Sequence, residues 1–107
     1  MAFKEAVVVM AVDGHPNRHR ASIKTPKLEL TTVVIELGNF DQAVKVCKDL
    51  VQKQGVQSFI FCPGFTHQAL ARIASAVGGR AAINVARGDV PSTTMVSEIL
   101  TKEGWFA

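Results

Sequence analysis

Residues 56–79 constrain the fold more than any other part of the 107-residue sequence. The apolar run at 57–62 has the residue types of a buried strand, and Pro63 and Gly64 follow it as a tight turn. Thr66 then has the position of a helix N-cap, and two glycines at 78–79 end that helix. This order of strand, turn and helix is typical of a parallel α/β protein, where ligands bind beyond the carboxyl ends of the strands.

Three further apolar runs predict strands. Residues 6–12 contain only Ala, Val and Met, which is typical of a strand covered on both faces. Residues 28–37 and 80–86 also read as strands. We expect 28–37 at an edge of the sheet because it carries Glu29 and Glu36, and charge there discourages pairing with another chain.

Helical patterns lie between these strands. Residues 40–54 place apolar side chains at helical spacing, and Asn39 precedes them as a cap. Asp89 likewise has the position of an N-cap before a last helix near the end of the chain. A short helix is expected over 16–24, where Pro stands in the first turn and Thr25 with the following proline ends it.

The alternation predicts a single α/β domain over residues 1–107. We expect a small, four-stranded, mainly parallel sheet flanked by three or four helices, as in half of a flavodoxin-like fold. The predicted order is 2-1-3-4, because the first and third strands are the most uniformly apolar and belong at the centre. A switch point then lies between these two strands and brings residues 13–20 close to residues 62–67.

Composition excludes several classes of protein. The chain is 48% hydrophobic and 20% charged, which argues against disorder. Its net charge of +3 comes without a dense run of Lys or Arg, so we expect no nucleic-acid partner. No apolar run approaches the ~20 residues of a membrane span, so we expect no membrane partner. Two cysteines are too few for a disulfide framework, and a cytoplasmic protein is expected.

Cys62 is the main candidate for chemistry. It ends a strand about four residues before a helix, where unpaired N–H groups and the helix dipole favour a thiolate. A cysteine-dependent enzyme would use Cys62 as nucleophile and His67, or else His19, as base. The alternative is a small buried residue of a strand, and the same burial is expected of Cys47 in the apolar stripe of its helix.

A second hypothesis is a binding site for a small anionic molecule at the carboxyl edge of the sheet. Basic residues and a helix N-terminus flank the predicted switch point, and both attract anions. The candidate ligand-binding residues are Asp13, His19, Arg20, Gly64, Thr66 and Arg87. In the alternative interpretation, Gly64 only provides the backbone angles of a tight turn, and Arg87 is a surface charge.

The sequence identifies no cofactor. His15 and His19 are four residues apart and with Asp13 offer metal-ligating atoms, but no third ligand stands at a recognised spacing, so no metal site is expected. Trp105 and Phe106 form an apolar end, which packs either on the chain's own core or on another copy. A third hypothesis is therefore a homo-oligomeric structural or partner-binding module.

Several short motifs together resemble a family of small bacterial α/β proteins known only as a domain of unknown function. They are His19-Arg20-Ala21, Ile23, Thr25-Pro26, Cys62-Pro63-Gly64-Phe65 and Ala76-Val77-Gly78-Gly79. The resemblance covers roughly residues 3 to 87. That family continues with Arg-x-Asp-x-His-Pro-Gly, whereas this chain has Arg87-Gly88-Asp89-Val90-Pro91, so a site completed by that His is not expected here. The resemblance implies a compact α/β fold and brings no activity with it.

Overall fold

A computed structural model describes residues 1–106. In chain order the elements are β1 (Phe3–Ala11), β2 (Arg20–Lys24), β3 (Leu28–Glu36), α1 (Phe40–Gln54), β4 (Ser58–Phe61), α2 (His67–Val77), β5 (Ala82–Val85) and α3 (Val90–Lys102). The strands form one sheet in the order β2-β3-β1-β4-β5. β2 is antiparallel to β3, and the other neighbouring pairs are parallel.

The expectation of a four-stranded, mainly parallel sheet is wrong, because the sheet has five strands and one antiparallel pair. The four strands read from the sequence are β1, β3, β4 and β5, and they lie in the order β3-β1-β4-β5. The fifth strand, β2, comes from the segment expected to be a helix over 16–24.

Pairing with β3 explains why residues 20–24 are extended. The expectation of an edge position for residues 28–37 is therefore wrong, because β2 covers that edge. The N–H of Val34 donates to the carbonyl of His19 at 2.9 Å, which starts the ladder, and Ser22 bonds to Thr31 through their hydroxyls at 3.1 Å. At the other end the Thr25 hydroxyl accepts from the N–H of Leu28 at 2.9 Å. These contacts with a distant part of the sequence outweigh the weak local preference for a helix.

The helices α1 and α2 pack together on one face of the sheet. Alternate residues of β1 point toward them, and Ala6, Val8 and Met10 are buried there. Residues between these point to the opposite face and are only partly buried. Other members of the core are Val33, Ile35, Ala43, Val46, Cys47, Leu50, Val51, Val56, Phe59, Phe61, Phe65, Ala69, Ile73 and Val77.

The three helices differ in how firmly they are held. The side chain of Asn39 accepts from the N–H of Gln42 at 3.0 Å and begins α1, and Gly55 ends it with a φ of 72°. Five side chains of α1 and three of α2 are buried. By contrast, α3 buries none, and Asp89 occupies its N-cap position without a side-chain cap bond. Within residues 1–106 no helix is both long and apolar enough to cross a membrane.

The switch point lies between the carboxyl ends of β1 and β4. From β1 the chain passes to the β3 side of the sheet, whereas from β4 it passes through α2 to β5. Loops that leave two neighbouring strands in opposite directions leave room between them. The two loops that border this room are the turn after β1 and the turn at residues 62–66.

Candidate functional site

A cleft of about 550 Å³ occupies the switch point. One wall is formed by strand ends and turns, and the other by α3 and the residues after it. Nine residues line the cleft: Met10, Leu37, Cys62, Pro63, Gly64, Val96, Leu100, Trp105 and Phe106. Apolar side chains therefore dominate the place where the sequence predicted basic and polar groups.

The turn at residues 62–66 is held at three points. The Nη1 group of Arg87 donates to the carbonyls of Pro63 and Phe65, both at 3.0 Å. The ring of Phe65 is fully buried and lies 4.8 Å from that of Phe61, centroid to centroid. The Thr66 hydroxyl accepts from an N–H of α2 at 3.1 Å. These contacts fix the position of the Cys62 side of the cleft.

Gly64 lies close to the end of a neighbouring side chain, and its backbone angles do not require glycine. Its φ is not among the positive values in the chain, so the expectation that the turn needs glycine for its angles is wrong. A Cβ at this position would instead collide with the Cε methyl of Met10, and it would lie 3.8 Å from the Cys62 sulfur. The turn and the end of β1 thus touch directly at the floor of the cleft.

The two cysteines lie in different environments. Both are free thiols; Cys62 is partly exposed and lines the cleft, whereas Cys47 is fully buried in the core. Burial raises the pKa of Cys47 to about 12, because desolvation disfavours the thiolate. The expectation of a core position for Cys47 is met, and Cys62 is the thiol that a molecule in the cleft would contact.

The histidines proposed as bases do not line the cleft. His67 is exposed in the first turn of α2, and the Nδ1 atom of His19 accepts from the N–H of His15 at 3.0 Å. In the part of the chain that the structure describes, no hydrogen bond joins Cys62 to an imidazole. A pairing of Cys62 with His67 or His19 therefore stays a prediction.

A second, polar depression of about 330 Å³ lies between α1 and the loop before β2. Arg20 lines it, and its Nε group donates to the carbonyl of Pro16 at 3.2 Å. The other lining residues are His15, Pro16, Asn17, Gln42, Lys45, Val46 and Asp49. Its charges are mixed, because Asp49 stands on the same helix as Lys45.

The predicted ligand-binding residues thus divide into separate groups. Gly64 lines the cleft, and Arg20 lines the polar depression. Thr66 and Arg87 hold the turn through backbone groups, while Asp13 and His19 line neither concavity. The division arises because residues 20–24 form a strand on the far side of β3 instead of a helix above the switch point.

Sequence reasoning missed most of the residues that line the two concavities. The sequence pattern predicts Leu37, Leu100 and Met10 only as strand and helix residues, and they reach the cleft because two turns and α3 meet there. In the polar depression, Lys45 and Asp49 were missed as well. Their spacing of four residues on an exposed helix face is a signal that was present in the sequence.

The described residues hold no group of three His, Cys, Asp or Glu side chains that could bind a metal ion. His15 and His19, which would share a face on a helix, lie instead in a turn closed by a bond from the N–H of His19 to the carbonyl of His15 at 2.8 Å. Within that turn the Nδ1 atom of His19 accepts from the N–H of His15, so one of the two ring nitrogens of His19 is already hydrogen-bonded.

Comparison with known proteins gives one match. The model of a family of unknown function, DUF6506, matches residues 3–101. The match runs from β1 into α3 and so extends beyond residue 87, where the motif resemblance stops. No curated protein and no solved structure matches the chain.

Proposed function

Because the chain belongs to the DUF6506 family of unknown function, we propose its function from the site alone: it binds a small organic anion with an apolar body in the cleft at the switch point. The observation that carries the proposal is the cleft itself. Its volume of about 550 Å³ and its apolar lining are those of sites that enclose small organic molecules.

The position of the cleft in the fold also supports ligand binding there. In open α/β sheets, ligands bind beyond the carboxyl ends of the strands where neighbouring loops diverge. The turn at residues 62–66 forms part of one wall of the cleft, and Arg87, Phe65 and Thr66 hold this turn in place. A preformed wall lowers the entropic cost of binding.

The anionic preference rests on two groups that adjoin the turn at residues 62–66, which forms part of one wall of the cleft. The first N–H groups of α2 follow the turn and carry the positive end of the helix dipole. Arg87 uses only Nη1 to hold the turn, so its remaining N–H groups can donate to a bound anion. The net charge of +3 favours the same sign of ligand.

The test uses 8-anilinonaphthalene-1-sulfonate as the probe and Trp105 as the reporter. Trp105 is the only tryptophan of the chain and it lines the cleft, so energy transfer from its emission reports binding of the dye to the chain, and the variants below locate the bound dye. We expect saturable quenching of Trp105 by the sulfonate and at least several-fold weaker binding of the neutral analogue N-phenyl-1-naphthylamine. Equal affinities would remove the anionic part of the proposal.

A matched pair of variants separates the cleft from other apolar surface. Leu100→Gln places an amide in the cleft, whereas Met95→Gln changes an exposed residue of the same helix outside it. Leu100→Gln should weaken the sulfonate's binding, and Met95→Gln should leave it unchanged. Quenching that is absent in the unmodified chain, or equal in both variants, would overturn the proposal.

A cysteine-dependent reaction is the second candidate, favoured by the exposure of the Cys62 thiol in this cleft. It requires a thiolate at neutral pH, because the thiolate is the nucleophile. The pH dependence of Cys62 alkylation tests this requirement. A rate midpoint well below the ordinary thiol value of about 8.5 would support an enzyme, and an ordinary midpoint would leave Cys62 as a lining residue.

A further inference from the structure

One face of the sheet carries apolar side chains and no helix. We call it the open face; its central residues are Val7, Val9, Leu30, Thr32, Val34 and Ile60, with Ile23 on the edge strand. The register places Val7 beside Thr32 and Ile60, and Val9 beside Val34. These side chains form one continuous surface across four strands.

The chain does not cover this surface with its own helices. α1 and α2 pack on the opposite face, where the core lies. α3 lies at the carboxyl edge, where Val96 and its neighbours approach Pro63 and Gly88. The open-face side chains of β1 and β3 are only partly buried, and Ile23 is 64% exposed. Sheets made of parallel strands normally have both faces covered.

We propose that the open face is the interface of a homodimer, in which a second copy packs its own open face against it. The area of the open face is large enough for a second copy of the chain to pack on it. The five strands are about 4.8 Å apart and about 13 to 30 Å long, so this whole side of the sheet, including β5, measures about 500 Å². Two such faces bury about 1,000 Å², which is the lower bound for a specific protein interface. A two-fold axis brings identical surfaces together, and an apolar patch is complementary to itself.

The distribution of polar groups on the open face is that of an interface. Its middle, formed by Val7, Val9, Thr32, Val34 and Ile60, has no charged side chain. Glu36 stands at the carboxyl end, and Glu5 lies toward the amino end between Leu30 and Ser58. The polar groups near Glu5 are paired within the chain. Ser58 donates to its carboxylate at 3.1 Å, and Asn84 donates to the Ser58 hydroxyl at 3.2 Å. An apolar centre with a polar rim is the anatomy of interfaces between proteins.

The experiment compares the mass in solution of the full chain and two arginine variants by size-exclusion chromatography with light scattering. Thr32→Arg puts a charge at the centre of the open face, and Ser75→Arg puts the same charge on the exposed side of α2. We expect twice the mass of one chain for the unmodified protein and for Ser75→Arg, and the mass of one chain for Thr32→Arg. Circular dichroism of each variant verifies its fold.

Ile23→Arg provides a second variant on the open face should Thr32→Arg fail to fold. Residue 23 is exposed on an edge strand, so an arginine there is compatible with the folded chain. It should also shift the dimer toward the monomer. Three outcomes would overturn the proposal. The first is an unmodified chain that is monomeric at all concentrations, and the second is a Thr32→Arg or Ile23→Arg protein that folds and stays dimeric. The third is a dimer that is lost only in Met95→Arg, which would assign the interface to α3.

Discussion

The two thiols of the chain provide a contrast at the scale of single residues. Cys62 lines the cleft and is partly exposed, while Cys47 lies in the core with no exposed surface. Iodoacetamide should therefore add one group to the native protein, at Cys62. The adduct should persist in Cys47→Ala and disappear in Cys62→Ala, as measured by intact mass. Two adducts on the native protein would contradict the burial of Cys47.

Burial of Cys47 also gives the sign of a pH effect on stability. Its pKa is raised from 9.0 to about 12 in the folded chain, so the folded state keeps the proton that the unfolded state loses. The stability that depends on the protonated Cys47 thiol is fully present below pH 9.0 and is lost as the pH rises toward 12. The free energy of unfolding, measured in urea, should fall more steeply above pH 9.0 for the unmodified chain than for Cys47→Ala.

Helix caps carry a prediction at the scale of elements. The Thr66 side chain bonds to the N–H of Ala69 in α2, whereas Asp89 stands at the start of α3 without such a bond. Thr66→Ala should lower the free energy of unfolding by about 1 kcal/mol, the usual cost of losing an N-cap. Asp89→Ala should change it much less. Equal losses in urea unfolding would mean that the Thr66 bond does not hold α2.

The sequence revealed those elements whose signals are local. Asn39 and Gly55 mark the ends of α1, and its apolar spacing marks the buried face, so this helix was predicted with its bounds. β2 was missed because all five of its residues are exposed, so it has no apolar pattern. Its conformation depends on an edge of β3 that no local signal reveals.

The position of the cleft was predictable from the sequence, but most of the residues that line it were not. The strand order put the switch point beside Cys62 and Gly64, and the cleft is there. Its other wall comes from Leu100 and Trp105, which reach it only through the path of α3. A helix with no buried side chain carries no core pattern from which that path follows.

At the scale of the whole molecule, the proposed dimer makes thermal stability depend on protein concentration. If the unfolded chain is monomeric, each tenfold rise in concentration adds about 1.4 kcal/mol per mole of dimer to the free energy of unfolding. For a chain of this length the Tm should then rise by about 3 °C per tenfold. We expect this slope for the unmodified protein and for Ser75→Arg, whereas Thr32→Arg should melt at a temperature that does not depend on concentration. A Tm of the unmodified chain that does not change with concentration, or the same slope in Thr32→Arg, would contradict the dimer. The sheet would then be stable with its open face in water.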